Sequence, residues 1–322
     1  MIVSAYKHNG NVFRVSSKLG SFPGSGFFSV IHYIMNNYIY CKKNYVDFFI
    51  DSHEWLFKYK DGWTDYFEDN KMIFSGITDN DHPQYFLPGL RMLGEFPIFE
   101  YKAIIGDFYI YNQKTKEAII DAKIKYNIPE KPDTYDCLFI RRGDKLIREA
   151  TYIHSSKYLD LLLKKNPVCK TVFLQTDDYN CYLELLEYID EKKYDIQLIT
   201  MCEEKTKGGM VIFDMFIKND LTNTNFKYEN KETEQYISTV IDNLIKNKPV
   251  DKMTPDEIYE HTMTMIIGID IAIHSNMCVT DYTSNIARFI KLSHDNIENV
   301  YDVLNPEVEI DLNKIQCPCA GF

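Results

Sequence analysis

Two hydrophobic periods alternate along this chain. From Phe27 to Tyr40 apolar residues recur on a helical period, predicting a helix after the glycine-rich stretch GSFPGSG at 20–26. Tyr45 to Ile50 then reads as a buried strand. Past Lys131-Pro132-Asp133, a plausible boundary, short apolar runs and amphipathic stretches take turns. Strands are expected at 137–140, 171–174 and 195–200, with helices at 155–165 (opened by a serine cap) and 179–191. A polar, poorly patterned stretch follows over 203–252. The alternation resumes with a helix near 255–274, a short strand at 277–279 and a further helix carrying Arg288. Strand–helix alternation of this kind belongs to α/β folds with parallel sheets. The expected organisation is an N-terminal α/β domain over 1–131 and a Rossmann-like domain over 132–322, with an insertion at about 203–252.

Composition narrows the choice of partners. The chain has 322 residues, 45% of them apolar, and a net charge of −11. Real cores are affordable, and a non-specific nucleic-acid binder is disfavoured. Any basic cluster must therefore be a local pocket. The most apolar stretch, Met263 to Ile273, is short and interrupted by Asp270, so it suits a core helix better than a membrane span. The first residues carry no signal-peptide pattern, and a cytoplasmic protein is expected. Cys41, Cys137, Cys169, Cys181, Cys202 and Cys278 are scattered in mostly apolar contexts and suit buried free thiols. Cys317-Pro318-Cys319 has no second pair at metal-site spacing, and no metal site is expected.

The chemistry concentrates where predicted strands end. The run from Cys137 to Ile140 leads directly into Arg141-Arg142-Gly143-Asp144-Lys145. In open α/β sheets ligands bind beyond the carboxyl ends of strands, and guanidinium groups match phosphate oxygens in bidentate geometry. A solvated charged turn would give the same sequence. Two other predicted strands end in polar clusters: Thr176-Asp177-Asp178, and Thr280 to Asn285. In a parallel sheet all three share one edge. Thr283 and Ser284 stand where they could serve a phosphate or simply cap the next helix. The 20–26 loop before a helix is also a weak phosphate-binding signal, being neither a dinucleotide fingerprint nor a P-loop.

Together these residues bring a family into view. RRGDK, followed by Glu149 and His154, resembles the donor-site motif of inverting fucosyltransferases, in particular the core α1,6-fucosyltransferases and their chitooligosaccharide-modifying relatives. GSGFFSVIH at 24–32 resembles that group's glycine-rich loop and histidine-bearing helix. DSHEWLFKYKDGWTDYF at 51–67 resembles its tryptophan-containing segment, and DYTSNIAR at 281–288 its Ser-Ser motif. The pieces occur in family order over about 20–290. Two departures are visible: Phe139 stands where the family commonly has a histidine, and Gly268 stands near its guanine-reading acid.

The resemblance implies a GT-B-like architecture, with two Rossmann-like domains facing a cleft. It implies transfer of fucose from GDP-fucose to a glycan or glycoconjugate hydroxyl with inversion. The donor is a substrate, and neither cofactor nor metal is required. Arg141 and Arg142 would hold the diphosphate, with Arg142 stabilising the charge of the leaving GDP. Removing Arg142 is then expected to lower turnover with little loss of fold. Glu149 would be the base, Lys145 its relay partner, and Asp144 an orienting group. Gly24, Gly26, His32, Thr176, Asp177, Asp178, Thr283, Ser284 and Asn285 complete the donor site. Three alternatives stay open: another nucleotide sugar or a protein acceptor, a non-catalytic nucleotide- or glycan-binding relative, and a phosphate-binding hydrolase. Trp55 and Trp63 could stack on sugar rings or belong to a core.

Overall fold

The computed structural model describes residues 2–8, 11–19, 26–69, 71–74, 85–87, 97–131, 134–148, 152–210 and 231–307. The chain divides into two compact units. The first holds Met1–Glu117 and Pro255–Met263, and the second holds Ala118–Thr254 and Thr264–Val308.

The first unit is built on a four-stranded mixed sheet. Strands β1 (Ile2–His8) and β2 (Asn11–Lys18) form an antiparallel hairpin. The intervening Asn9-Gly10 is the sequence signal that identifies such a pairing. Helix α1 (Phe27–Asn44) then carries the chain to β3 (Asp47–Asp51), which runs parallel to β2. A parallel neighbour requires a crossover, and α1 supplies it. The short strand β4 (Tyr85–Leu87) completes the order β3-β2-β1-β4. Helix α2 (Ile98–Phe108) packs on α1, and α3 (Gln113–Lys125) follows, its residues from Ala118 onward counting with the second unit.

Aromatic rings fill this unit. Phe27 lies 5.0 Å from Trp55, and Trp63 lies 4.3 Å from Phe67, centroid to centroid. Trp55 and Trp63 are both buried, so they serve the core and offer no face to a sugar. Asp65 organises the surrounding segment. Its carboxylate accepts from the backbone N–H groups of Tyr59, Lys60, Asp61 and Gly62 at 2.8–3.1 Å.

The second unit is a five-stranded parallel sheet. Its strands are β5 (Asp136–Ile140), β6 (Thr171–Thr176), β7 (Gln197–Thr200), β8 (Cys278–Thr280) and β9 (Val300–Asp302). They lie in the order β7-β6-β5-β8-β9. Every residue of β5 is buried, as expected of a central parallel strand covered on both faces. Helices α5 (Ser155–Lys165) and α6 (Tyr179–Lys192) connect β5 to β6 and β6 to β7. Leu138, Leu159, Leu162, Leu174, Leu185 and Val279 form much of the core.

Between β7 and β8 lies the stretch expected to be poorly patterned. It contains a 14-residue helix, α7 (Lys231–Leu244). Its apolar residues are spaced by a helical period but diluted by charge, which hides them in a composition reading. Helix α8 (Pro255–Ile273) leads to β8, and α9 (Asn285–Ser293) leads away from it. Pro255–Met263 counts with the first unit and the remainder of α8 with the second. The scattered cysteines are free thiols, buried except for half-buried Cys202. Among the described residues no helix is long and apolar enough to cross a membrane.

The strand order places a switch point. From β5 the chain moves outward through β6 and β7, then returns to the other side of β5 with β8 and β9. Successive connections leave β5 and β8 in opposite directions, the arrangement beside which open α/β sheets bind ligands.

Candidate functional site

The turn after β5 gathers several predicted residues. Arg141 pairs with Asp177 through Nη1 and with Asp144 through Nη2, the latter at 2.7 Å. The Arg142 backbone N–H donates to Asp177 Oδ1 at 2.8 Å. Asp177 follows β6, so one carboxylate ties two adjacent strand ends together. Gly143 makes the turn with φ +53°. An added Cβ there would lie 2.6 Å from Asp177 Oδ2 and 2.7 Å from the Met210 carbonyl. Glycine is needed for its conformation and for the space. The turn leads into a short helix, α4 (Asp144–Arg148), which carries Lys145.

Arg142 does not face outward. Only 1% of the residue is exposed. Its guanidinium makes a bidentate pair with Glu184 of α6, each bond 2.8 Å. It also donates to Ser155 Oγ at 3.0 Å, to the Ile153 carbonyl at 3.3 Å, and to the Tyr236 hydroxyl. The rings of Tyr152 and Tyr236 lie 4.8 and 5.0 Å from the guanidinium carbon. Burial opposes its charge, but the acidic surroundings more than offset that and raise its pKa. The Cys181 thiol beside it is itself pushed up by burial and stays neutral, so Glu184 supplies the compensating charge. Burial would raise Glu184 too, yet Arg142 holds its pKa below the usual carboxylate value. A phosphate-facing Arg142, separable from the fold, was the expectation. In the structure its charge is consumed internally, and it forms part of the fold.

The cluster after β6 acts largely as local architecture. Thr176 Oγ1 accepts from the Asp178 N–H at 3.2 Å. Asp178 caps α6, its Oδ1 accepting from Asn180 N–H at 3.0 Å. The same oxygen accepts from Gly208 N–H at 2.8 Å. Burial raises the Asp178 pKa, and Arg142 partly counters this. The expected serine cap of α5 is also replaced. His154 stands at the cap and accepts from Ser156 N–H, which leaves the Ser155 hydroxyl to donate to Glu184 at 2.7 Å.

The third cluster follows β8, the parallel neighbour of β5. Thr283 donates from both N–H and Oγ1 to the Asp281 carboxylate, at 2.9 and 2.8 Å. Ser284 is the N-cap residue of α9, buried, but its hydroxyl makes no capping bond. Arg288 turns back to hold the Tyr282 carbonyl at 2.9 Å and Asn285 Oδ1 at 3.4 Å. Among the described residues, no group of acidic, histidine and cysteine side chains is arranged to hold a metal.

The remaining predicted residues fall elsewhere. Gly26 is the N-cap of α1 with extended backbone, and His32 is buried on the same helix, both in the first unit. Gly24, Glu149, Cys317 and Cys319 lie outside the described residues. Reasoning from sequence passed over Glu184, Tyr152 and Tyr236. No local motif marks them, because Glu184 and Tyr236 meet Arg142 only across 42 and 94 residues of chain.

No protein-family model matches the chain, and no curated protein matches it in sequence. Solved structures similar to it include two fucosyltransferases. One is described as the NodZ α-1,6-fucosyltransferase soaked with GDP-fucose: 9% identity, TM-score 0.47, covering 91% of this chain and 96% of the other. The second is described as fucosyltransferase NodZ from Bradyrhizobium: 10% identity, TM-score 0.45, with the same coverage of both chains.

Proposed function

We propose that this chain is a GT-B-like glycosyltransferase that transfers fucose from GDP-fucose to a glycan hydroxyl with inversion. One observation carries the reading. Arginines and aspartates converge at the carboxyl edge of a parallel sheet, where a switch point opens between β5 and β8. Of the sequence motifs, RRGDK follows β5 and DYTSNIAR follows β8 on that edge, whereas those at 24–32 and 51–67 belong to the first unit.

In the reaction the acceptor oxygen bonds to the anomeric carbon as the carbon–phosphate oxygen bond breaks. Glu149 takes the acceptor proton and GDP leaves. Arg141, oriented by Asp144 and Asp177, meets the diphosphate, while Thr283, Ser284 and Asn285 approach it from the β8 side. Arg142 acts from beneath, holding the turn rigid through Glu184. Preorganised positive charge at a leaving group is the electrostatic part of catalysis.

Titrating the whole protein with GDP, ADP and UDP tests the reading. GDP should bind selectively, and Arg141→Ala should weaken it by about ten- to a hundredfold. Glu149→Gln should lower turnover while leaving GDP affinity intact, and a chelator should leave activity in place. Absence of nucleotide binding overturns the reading. A second reading, with another nucleotide sugar as donor, is favoured by the base-reading positions. Phe139 is buried, and the Gln175 side chain packs against Gly268 so closely that a Cβ there would collide with it. Preference for UDP or ADP selects that reading.

A further inference from the structure

We propose that the segment Gly208–Met210 is a strap closed over the diphosphate site, and that it must lift for the ligand to enter. The inference rests on the nucleotide-sugar reading and concerns regulation of the same site.

The strap lies directly on the turn after β5. A Cβ on Gly209 would fall 2.5 Å from Gly143 Cα and 2.6 Å from its nitrogen. Gly209 also has φ +83°. Two facing glycines therefore let one backbone rest on the other with no side chain between. A ligand phosphate approaching that turn would meet chain already seated there.

The strap also uses the groups an anion would use. The Asp144 N–H donates to the Met210 carbonyl at 3.3 Å. The Arg142 N–H and the Arg141 guanidinium are both taken by Asp177, which acts as an internal anion at the strand ends. The strap holds the aspartates in turn. Gly208 N–H donates to Asp178 at 2.8 Å, and Met210 N–H reaches Asp177 at 3.5 Å. From above, Asn247 Nδ2 pins it by donating to the Lys207 and Gly209 carbonyls at 3.1 and 2.7 Å. Tyr236 of α7 adds a second latch, its hydroxyl shared between Arg142 and Asp178. All these residues belong to the second unit. The strap is held by a few hydrogen bonds, and its single large side chain, Met210, is only half-buried, as befits a segment that opens at modest cost.

The arithmetic is that of population shift. If the closed form dominates, apparent affinity is the intrinsic affinity multiplied by the open fraction. Loosening the strap should then tighten binding without touching a ligand contact. Asn247→Ala removes two pinning bonds, and Gly209→Ala introduces a collision only in the closed form. Calorimetric titrations of wild type and both variants with inorganic pyrophosphate and with GDP should show about tenfold tighter binding in the variants. Amide exchange over 207–210 should quicken in the variants without ligand.

Equal affinities in all three proteins overturn the strap and leave the nucleotide reading standing. Tighter pyrophosphate binding in the variants with no binding of GDP keeps the strap and overturns GDP as the ligand. No binding of either probe to any of the proteins overturns both.

Discussion

Arg142 carries a full charge to a place where 1% of its surface meets solvent. It survives there because Glu184 matches it oxygen for nitrogen and two tyrosine faces cover it. Breaking one side of a buried pair leaves the other charge stranded, at a cost of about 3–5 kcal/mol. Glu184→Gln should therefore lower the unfolding free energy by an amount of that order, read as a lower urea midpoint, and Arg142→Ala should do the same. An unchanged midpoint would show that the pair bears no structural load. Because the Glu184 pKa is depressed, the pair's contribution is present above the usual value of 4.5 and is lost as pH falls through the folded value. His294 behaves differently. Buried, its Nδ1 lies 2.8 Å from the Asn296 carbonyl, and burial lowers its pKa to about 4. The unfolded chain binds its proton first, so stability should fall as pH drops from 6.5 to about 4 and change no further below that. The maximum loss is about 3 kcal/mol. His294→Gln should flatten this part of the stability–pH curve, and an unaltered curve would remove His294 as its source.

At the scale of elements, the turn after β5 shows how a motif is shaped by neighbours remote in sequence. Arg141 to Lys145 announced a strand end through charge, and the structure places it at one. What it could not announce was that Gly143 lies against Met210, so that the turn is completed by a segment 67 residues onward. Gly143→Ala imposes a left-handed conformation on a residue with a Cβ and presses that atom into the Met210 carbonyl. The expected destabilisation is about 1–3 kcal/mol, read as a lowered Tm. A neutral substitution would mean that the turn relaxes freely. The helices and strands of the second half were legible because a buried parallel strand is a continuous apolar run and its covering helices are amphipathic. Helix α7 was not, since a helix within a charged, asparagine-rich stretch owes its place to packing more than to propensity. The cap of α5 passed to His154 because Ser155 was drawn to Glu184.

The whole molecule consists of a mixed-sheet unit and a parallel-sheet unit. A ligand that binds only the folded protein stabilises it by mass action, so GDP at a hundredfold excess over Kd should add about 2.7 kcal/mol. A thermal shift with GDP, weaker or absent with ADP and UDP, would register that binding independently of any acceptor. An equal shift with all three would remove the case for guanine. The sequence by itself determined the α/β class, the strand–helix alternation of the second half and the residue types that gather at one sheet edge. Those follow from local periodicity and charge, which neighbouring residues carry together. Only the tertiary structure decided which arginine is spent within the fold, which carboxylate neutralises it, and that Gly208–Met210 covers the turn. Those outcomes depend on contacts between residues 30 to 94 positions apart, and no local pattern encodes a distance of that kind.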